Sequence, residues 1–159
     1  MEWLIYSLVM GVVATIAIDG WAILLKKGFG LPTTNWAMVG RWFGHLPNGV
    51  FVHRPITESK VVPHELLIGW VAHYVIGIFY AAMYLYVIQI LLSTTPSFGS
   101  AFLFGLATVV VPFLVLQPGL GMGLFARHAP RPNVARLMSL SIHSIFGASL
   151  YLGWLISSL

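Results

Sequence analysis

The stretch HELLIGWVAHYVIGIFYAAMYLYVIQILL, residues 64–92, decides how this chain folds. A helix of this length rises about 1.5 Å per residue and exceeds the roughly 30 Å hydrocarbon core of a bilayer. His64 and Glu65 would then lie at the water boundary. His73 would lie about 13 Å deeper, where an ionisable side chain is costly and marks a functional site by default. The stretch therefore predicts a membrane-spanning helix that carries one buried histidine.

The composition of the whole chain agrees with this prediction. Of the 159 residues, 58% are hydrophobic and 8% are charged, which is about a third of the charged share of a soluble domain. We therefore expect an integral membrane protein with a single transmembrane domain over residues 1–159, and the lipid bilayer is its first partner. The chain has no cysteine, which excludes thiolate metal ligands, iron–sulfur clusters and a thiol nucleophile. Its basic residues are spread along loops, so no nucleic-acid partner is expected.

Four apolar runs are long enough to cross a membrane, at about residues 3–25, 64–92, 98–117 and 134–156. Lys26 and Lys27 close the first run. The segment Asn35–Leu46 reads as a short amphipathic helix that lies in the interface, because it is too short to cross. Pro112 inside the third run predicts a kink. The predicted fold is an all-α, integral membrane four-helix bundle with a short interfacial amphipathic helix after the first span.

The basic residues predict the orientation of the spans. They lie in or beside the two long loops, at Lys26, Lys27, Arg41, Arg54, Lys60, Arg127, Arg131 and Arg136. The turn Ser93–Ser97 and the segments before the first span and after the last contain no Lys or Arg. Because cytoplasmic loops carry the excess of Lys and Arg, both long loops should be cytoplasmic. Both termini should lie on the non-cytoplasmic side.

Three ionisable residues are predicted to share one depth in the membrane. Asp19, His73 and His143 each lie seven to nine residues from the nearest polar loop residue, or about 10 to 14 Å inside on three different helices. Charged or strongly polar groups at such a depth turn toward the interior of a bundle. We expect the three side chains to converge in the cytoplasmic half.

Small residues predict which way these side chains face. They recur at four-residue spacing on the same helix face as each ionisable residue, at Gly11, Thr15, Gly69, Gly77, Ser139 and Gly147. Close helix packing in membranes uses such stripes. Asp19, His73 and His143 should therefore point at neighbouring helices.

An internal repeat is a further interpretation of the same region. His73-Tyr-Val-Ile-Gly77 and His143-Ser-Ile-Phe-Gly147 share the pattern H-x-[VI]-x-G. Two helical hairpins related by a pseudo-two-fold axis would place His73 opposite His143. The alternative is a chance match within an apolar background.

Several short motifs stand out along the chain, namely Ala17-Ile-Asp19-Gly20-Trp21, Gly40-Arg41-Trp42-x-Gly44-His45, Pro63-His64-Glu65, Gln117-Pro118-Gly119-x-Gly121 and His143. With these motifs the chain resembles a small four-span bacterial inner-membrane protein family of unknown function. The resemblance covers nearly the full length and implies a multi-pass protein of the inner membrane. It implies no activity, substrate or cofactor.

Several functions remain open for Asp19, His73 and His143. Two histidines and a carboxylate suit a metal ion such as zinc or non-haem iron, with positions left for water or substrate. The same set could relay protons for a small or lipophilic substrate. A haem held by the two histidines and a small transporter that works as a dimer are further alternatives.

A structural or accessory subunit is the alternative of a different class. Each polar side chain would then only fasten two helices together, in a protein that serves a partner subunit and has no chemistry of its own. Whether the protein is an enzyme, and which substrate, cofactor or partner it uses, stays open at this level.

Four other residues are candidates for an entrance or relay: His64, Glu65, His45 and Gln117. For His64 and Glu65 the alternative is ordinary helix-start chemistry after Pro63. For His45, which lies beside an arginine in a cytoplasmic loop, the alternative is a side chain that is solvated or contacts headgroups.

Two loop features have simpler predictions. His53 and His128 are expected to be solvated or to contact headgroups, since both lie beside arginines. The segment Gly119-Leu-Gly121-Met-Gly123 is predicted to be a flexible hinge. It is not a phosphate loop of the usual kind, because no strand precedes it and no lysine follows at the required place.

Overall fold

The computed structural model describes residues 2–159 and is helical, with no strand in that range. Its helices are α1 Glu2–Phe29, α2 Trp36–His45, α3 Glu65–Leu85, α4 Phe98–Ala107, α5 Gln117–Gly119 and α6 Pro132–Ser157. Wider π-helical turns continue α3 over Tyr86–Leu91 and precede α5 over Pro112–Leu116. Short 3₁₀ segments lie at Leu46–Asn48, Ile56–Glu58 and Leu124–Ala126. The all-α prediction is confirmed.

Four helical segments are long and apolar enough to cross a membrane: Glu2–Phe29, Glu65–Leu91, Phe98–Gly119 and Pro132–Ser157. In their most apolar stretches only 22–28% of the residues are buried inside the protein. Large apolar side chains such as Leu4, Ile16 and Phe79 point outward, with more than half of their surface exposed. Such an outer surface is stable in lipid and not in water. The chain is therefore a multi-pass membrane protein.

The first span ends later than predicted. Helix α1 includes Lys26 and Lys27 in its last turn and continues to Phe29. Two physical effects explain this. Lysine ammonium groups reach water along their flexible stems, and cations are favoured at the C-terminal end of a helix.

The third span departs from α-helical geometry, as Pro112 predicts. The α-helix ends at Ala107, and the N–H of Thr108 donates to both Phe104 and Gly105. Proline has no N–H, and its ring clashes with the carbonyl four residues earlier, which here belongs to Thr108. The irregular turn therefore begins before the proline itself.

The helices are distributed between two compact units. The first holds the described residues up to Thr33 together with His73–Thr108 and Ser141–Leu159; the second holds Thr34–Ala72 and Val109–Leu140. Because α3 and α6 each contribute to both units, the single transmembrane domain stays a prediction.

Within the first unit, parts of α1, α3, α4 and α6 approach closely at small residues. A Cβ at Gly11 would collide with the backbone of Ile78, and one at Gly105 would collide with the backbone of Gly147. Met10, Ala14, Ala81, Tyr84, Leu85, Ile88, Ala101, Phe146 and Leu150 form the buried apolar core. The predicted packing through small residues is thus present on α1 and α6.

Within the second unit, α2 packs against the start of α3. Asn35 caps α2 by accepting hydrogen bonds from Ala37 and Met38, which agrees with the predicted helix over residues 35–46. A Cβ at Gly40 would collide with the backbone of Glu65 and Gly69. This close contact sets the position of the charged residues described below.

Candidate functional site

The close approach of α1 and α3 positions the first polar cluster. A Cβ at Gly77 would collide with the hydroxyl of Thr15, which itself donates a hydrogen bond to the carbonyl of Gly11 at 2.7 Å. Asp19 lies one helical turn after Thr15 on α1, and His73 lies one helical turn before Gly77 on α3. The small residues therefore let two ionisable side chains meet between helices.

Asp19 and His73 form a direct pair. Nε2 of His73 lies 3.0 Å from Oδ1 of Asp19, and the hydroxyl of Tyr74 donates to Oδ2 at 3.1 Å. The side chain of His73 is 9% exposed and that of Asp19 is 21% exposed. Both carboxylate oxygens thus have a partner that can carry a proton. Sequence reasoning predicted the aspartate and the histidine but missed Tyr74, although a tyrosine next to an intramembrane histidine is a natural hydrogen-bond donor.

His143 contacts a different side chain. Its Nδ1 lies 2.8 Å from the hydroxyl of Thr108, and that hydroxyl also lies 2.6 Å from the carbonyl of Gly105. Among residues 2–159 no group of three or more His, Asp and Glu residues is placed to hold one metal ion. The three-ligand set of Asp19, His73 and His143 is therefore not assembled here, because equal depth does not make three side chains point at one centre. Metal binding itself stays a prediction.

The two histidines nevertheless have similar surroundings. Each lies one turn before a glycine at a tight helix contact, Gly77 against Thr15 and Gly147 against Gly105. His73 also lies within hydrogen-bond distance of Asp19 on the first span. His143 lies within hydrogen-bond distance of Thr108 on the third span, which is the first span of the second half of the sequence. This similarity agrees with the predicted repeat, while the face-to-face arrangement of His73 and His143 stays a prediction.

Glu65, a predicted entrance residue, forms a two-pronged ion pair with Arg41. Nε and Nη2 of Arg41 donate to Oε2 and Oε1 of Glu65 at 2.8 and 2.9 Å. The remaining Nη1 group donates to the carbonyls of Ile56, Thr57 and Ser59. The hydrogen bond to the carboxylate raises the pKa of Arg41. Arg41 is buried, although a charged residue of an interfacial helix ordinarily faces water. The entrance role of Glu65 stays a prediction.

The other predicted entrance residues lie in varied settings. His64 is exposed, has a φ of 58° and directly precedes α3. Nε2 of His45 lies 2.8 Å from the carbonyl of Lys60. The buried Gln117 donates to the hydroxyl of Ser139 at 3.1 Å, while its Oε1 has no partner within residues 2–159. A relay role for these residues stays a prediction.

His53 is buried, so the prediction that it is solvated was wrong. Its Nδ1 lies 2.6 Å from the hydroxyl of Ser59, and its ring packs against His45. Burial, and secondarily the nearby His45, lowers the pKa of His53. The burial of His53 results from a contact between two segments that are distant in sequence. The N–H of His53 donates to Gly119 at 3.0 Å, so the segment predicted to be a hinge holds this loop in place.

Four apolar spanning segments with an outward apolar surface and a polar pair between two of them define a small all-α membrane protein. The chain belongs to the family described as protein of unknown function (DUF2938), whose model matches residues 8–157. This membership confirms the predicted family of unknown function. No curated protein and no solved structure matches the chain.

Proposed function

We propose that this is a protein of the bacterial inner membrane in which Asp19, His73 and Tyr74 bind and relay protons for a small or lipophilic substrate. The observation that carries the proposal is the Asp19 carboxylate, which lies within hydrogen-bond distance of both an imidazole and a phenol. The three groups lie within spanning segments, where a strongly polar cluster is costly and marks function by default. We call them the proton site.

The chemistry of the proton site favours proton transfer. Carboxylate and imidazole side chains inside membranes are the groups from which proton relays in pumps and transporters are built. A proton that moves between Nε2 of His73 and Oδ1 of Asp19 crosses one existing hydrogen bond. The hydroxyl of Tyr74 donates a hydrogen bond to Oδ2 of Asp19 and so fixes the orientation of the carboxylate.

A metal ion at the proton site is the less supported alternative. The sequence suggested two histidines and one carboxylate, whereas the contacts join one histidine and one carboxylate. A protein site for zinc or non-haem iron commonly uses three protein ligands. The proton relay needs only the pair that is present. A haem between His73 and His143, a dimer and a partner subunit stay predictions.

A proton-flux measurement tests the proposal. The protein is reconstituted in vesicles that contain a pH-sensitive dye, and a potassium gradient with valinomycin drives protons inward. We expect Asp19→Asn and His73→Gln each to lower the protein-dependent flux at least tenfold, and Tyr74→Phe to lower it less because the pair remains. Tyr80→Phe is the matched control, since Tyr80 packs against Phe146 away from the carboxylate contacts.

Two results would contradict the relay. One is a flux equal to that of protein-free vesicles. The other is an unchanged flux in Asp19→Asn and His73→Gln together with a lower Tm. Either result favours the structural alternative, in which the pair only fastens α1 to α3.

The proposed orientation places both long loops in the cytoplasm and both termini outside. The chain has no cysteine, so single cysteines can report the side of the membrane. In spheroplasts, a membrane-impermeant maleimide should label Thr95→Cys, in the turn between the second and third spans. It should label Asn48→Cys, in the first long loop, only after lysis. The reverse pattern would overturn the orientation.

A further inference from the structure

A cavity of about 610 Å³ lies in the second unit between the loop 52–55 and the glycine-rich segment 118–128. Two arginines and two histidines line it: Arg54, Arg127, His53 and His128. Among the described lining residues none is acidic. We call this space the basic cavity. Its volume is within the range of small-molecule sites and exceeds the volume of one inorganic ion.

Arg54 and Arg127 differ from Arg41, the buried arginine of the same unit, in having no acidic partner within the described residues. Arg41 is neutralised by Glu65. Within the described residues, by contrast, neither Arg54 nor Arg127 belongs to an ion pair. The two exposed guanidinium groups share a cavity lined by no described acidic residue and create a positive potential that an anion would relieve.

His53 supplies a second, independent observation. The residue is 6% exposed, and its Nε2 is buried with no hydrogen-bond partner within residues 2–159. Its Nδ1 lies against the Ser59 hydroxyl, and a hydrogen bond donated by that hydroxyl leaves the ring proton on Nε2. A buried donor without an acceptor is costly. His53 lines the cavity, and a turn of its ring toward that space would bring this nitrogen to an anion oxygen there.

The walls of the basic cavity are held by backbone contacts. The N–H of Ile56 donates to Leu120 at 3.2 Å, and that of His128 donates to Met122 at 2.8 Å. Gly121 has a φ of +89°, and a Cβ there would lie 2.7 Å from the carbonyl of His53. The loops are therefore ordered before a ligand arrives, which lowers the entropic cost of binding.

We propose that the basic cavity binds a phosphate group, with Arg54 and Arg127 as its cationic ligands and His53 and His128 as hydrogen-bond donors. Guanidinium forks match phosphate oxygens in pairs, and two arginines suit the charge of −1 to −2 that phosphate diesters and monoesters carry. The group belongs either to an anionic phospholipid headgroup or to a soluble phosphate compound. The inference does not depend on the proton site.

Binding to the full-length protein tests the proposal. The lipid arm uses native mass spectrometry to compare retained phosphatidylglycerol with phosphatidylcholine. The soluble arm uses calorimetry with inorganic phosphate and with glycerol 3-phosphate in a neutral detergent. We expect preferential retention or measurable affinity in one arm, reduced at least tenfold in the double variant Arg54→Gln/Arg127→Gln. His53→Phe should weaken binding in the same arm while both arginines remain.

The matched control is Arg131→Gln, which removes one exposed cation close in sequence but outside the cavity lining. It should stay within twofold of the wild type. The lysine variant Arg54→Lys/Arg127→Lys keeps the charge and folding while removing the fork geometry, and we expect an intermediate affinity. Binding in the lipid arm identifies a headgroup site, and binding in the soluble arm identifies a phosphate-compound site. No binding in either arm, or an equal loss in Arg131→Gln, would overturn the proposal.

Discussion

Replacing Arg41 with methionine is expected to destabilise the protein by about 3–5 kcal/mol, the usual result of removing one partner of a buried ion pair. The side chains of Arg41 and Glu65 are 8% and 15% exposed. Methionine would leave the Glu65 carboxylate without its cation, and three loop carbonyls would lose their donor. The free energy of unfolding can be followed by tryptophan fluorescence during titration with SDS.

The control for this substitution is Arg54→Met. It removes the same charge at an exposed position of the loop that follows α2, and we expect a change within about 0.5 kcal/mol. The double variant Arg41→Met/Glu65→Leu should recover part of the loss, because an apolar pair has no charge to desolvate. Equal effects of Arg41→Met and Arg54→Met would mean that water screens the ion pair.

The substitution Gly40→Ala is expected to destabilise the protein by up to about 3 kcal/mol, the usual upper range for overpacking. The new methyl group would collide with the carbonyl of Glu65 and with the N–H of Gly69, so α2 would have to move away from α3. That movement would also lengthen the adjacent contact between Arg41 and Glu65. The same SDS titration measures the effect.

Gly20→Ala is the matched control for the glycine substitution. Gly20 also lies inside a helix, but a Cβ at this position would meet no atom within 4 Å beyond its chain neighbours and the backbone of its own helix. Alanine stabilises a helix interior relative to glycine by about 0.5–1 kcal/mol, so we expect no loss of stability. A similar destabilisation by both substitutions would show that the close approach at Gly40 is not what matters.

The parts of the fold that the sequence predicted depend on local criteria. Segment length and apolar composition locate the four spans, because a membrane requires each helix to satisfy its own backbone hydrogen bonds. Asn35 and the apolar period place α2, and Pro112 places the irregular turn of the third span. Depth and small-residue spacing also predicted that Asp19, His73 and His143 would turn toward neighbouring helices, and Asp19 and His73 do meet between α1 and α3.

The parts that could not be predicted depend on contacts between distant segments. His143 was expected beside Asp19 and His73, yet its direction from α6 brings it to Thr108. Arg41 and Glu65 are 24 residues apart and meet because Gly40 allows α2 to approach α3 closely. His53 lies in a loop beside an arginine, which predicted a solvated side chain. The structure instead buries it, with its N–H bonded to Gly119 of the glycine-rich segment.

The sequence by itself determined that this is a four-span membrane protein and marked Asp19, His73 and His143 as polar residues inside its spans. Only the tertiary structure decided their further contacts: Tyr74 on the Asp19 carboxylate, Thr108 beside His143, and two arginines in one cavity with His53. The reason is physical. Hydrophobicity and helical period act along the chain, whereas side-chain partners depend on how helices rotate and how closely their backbones approach.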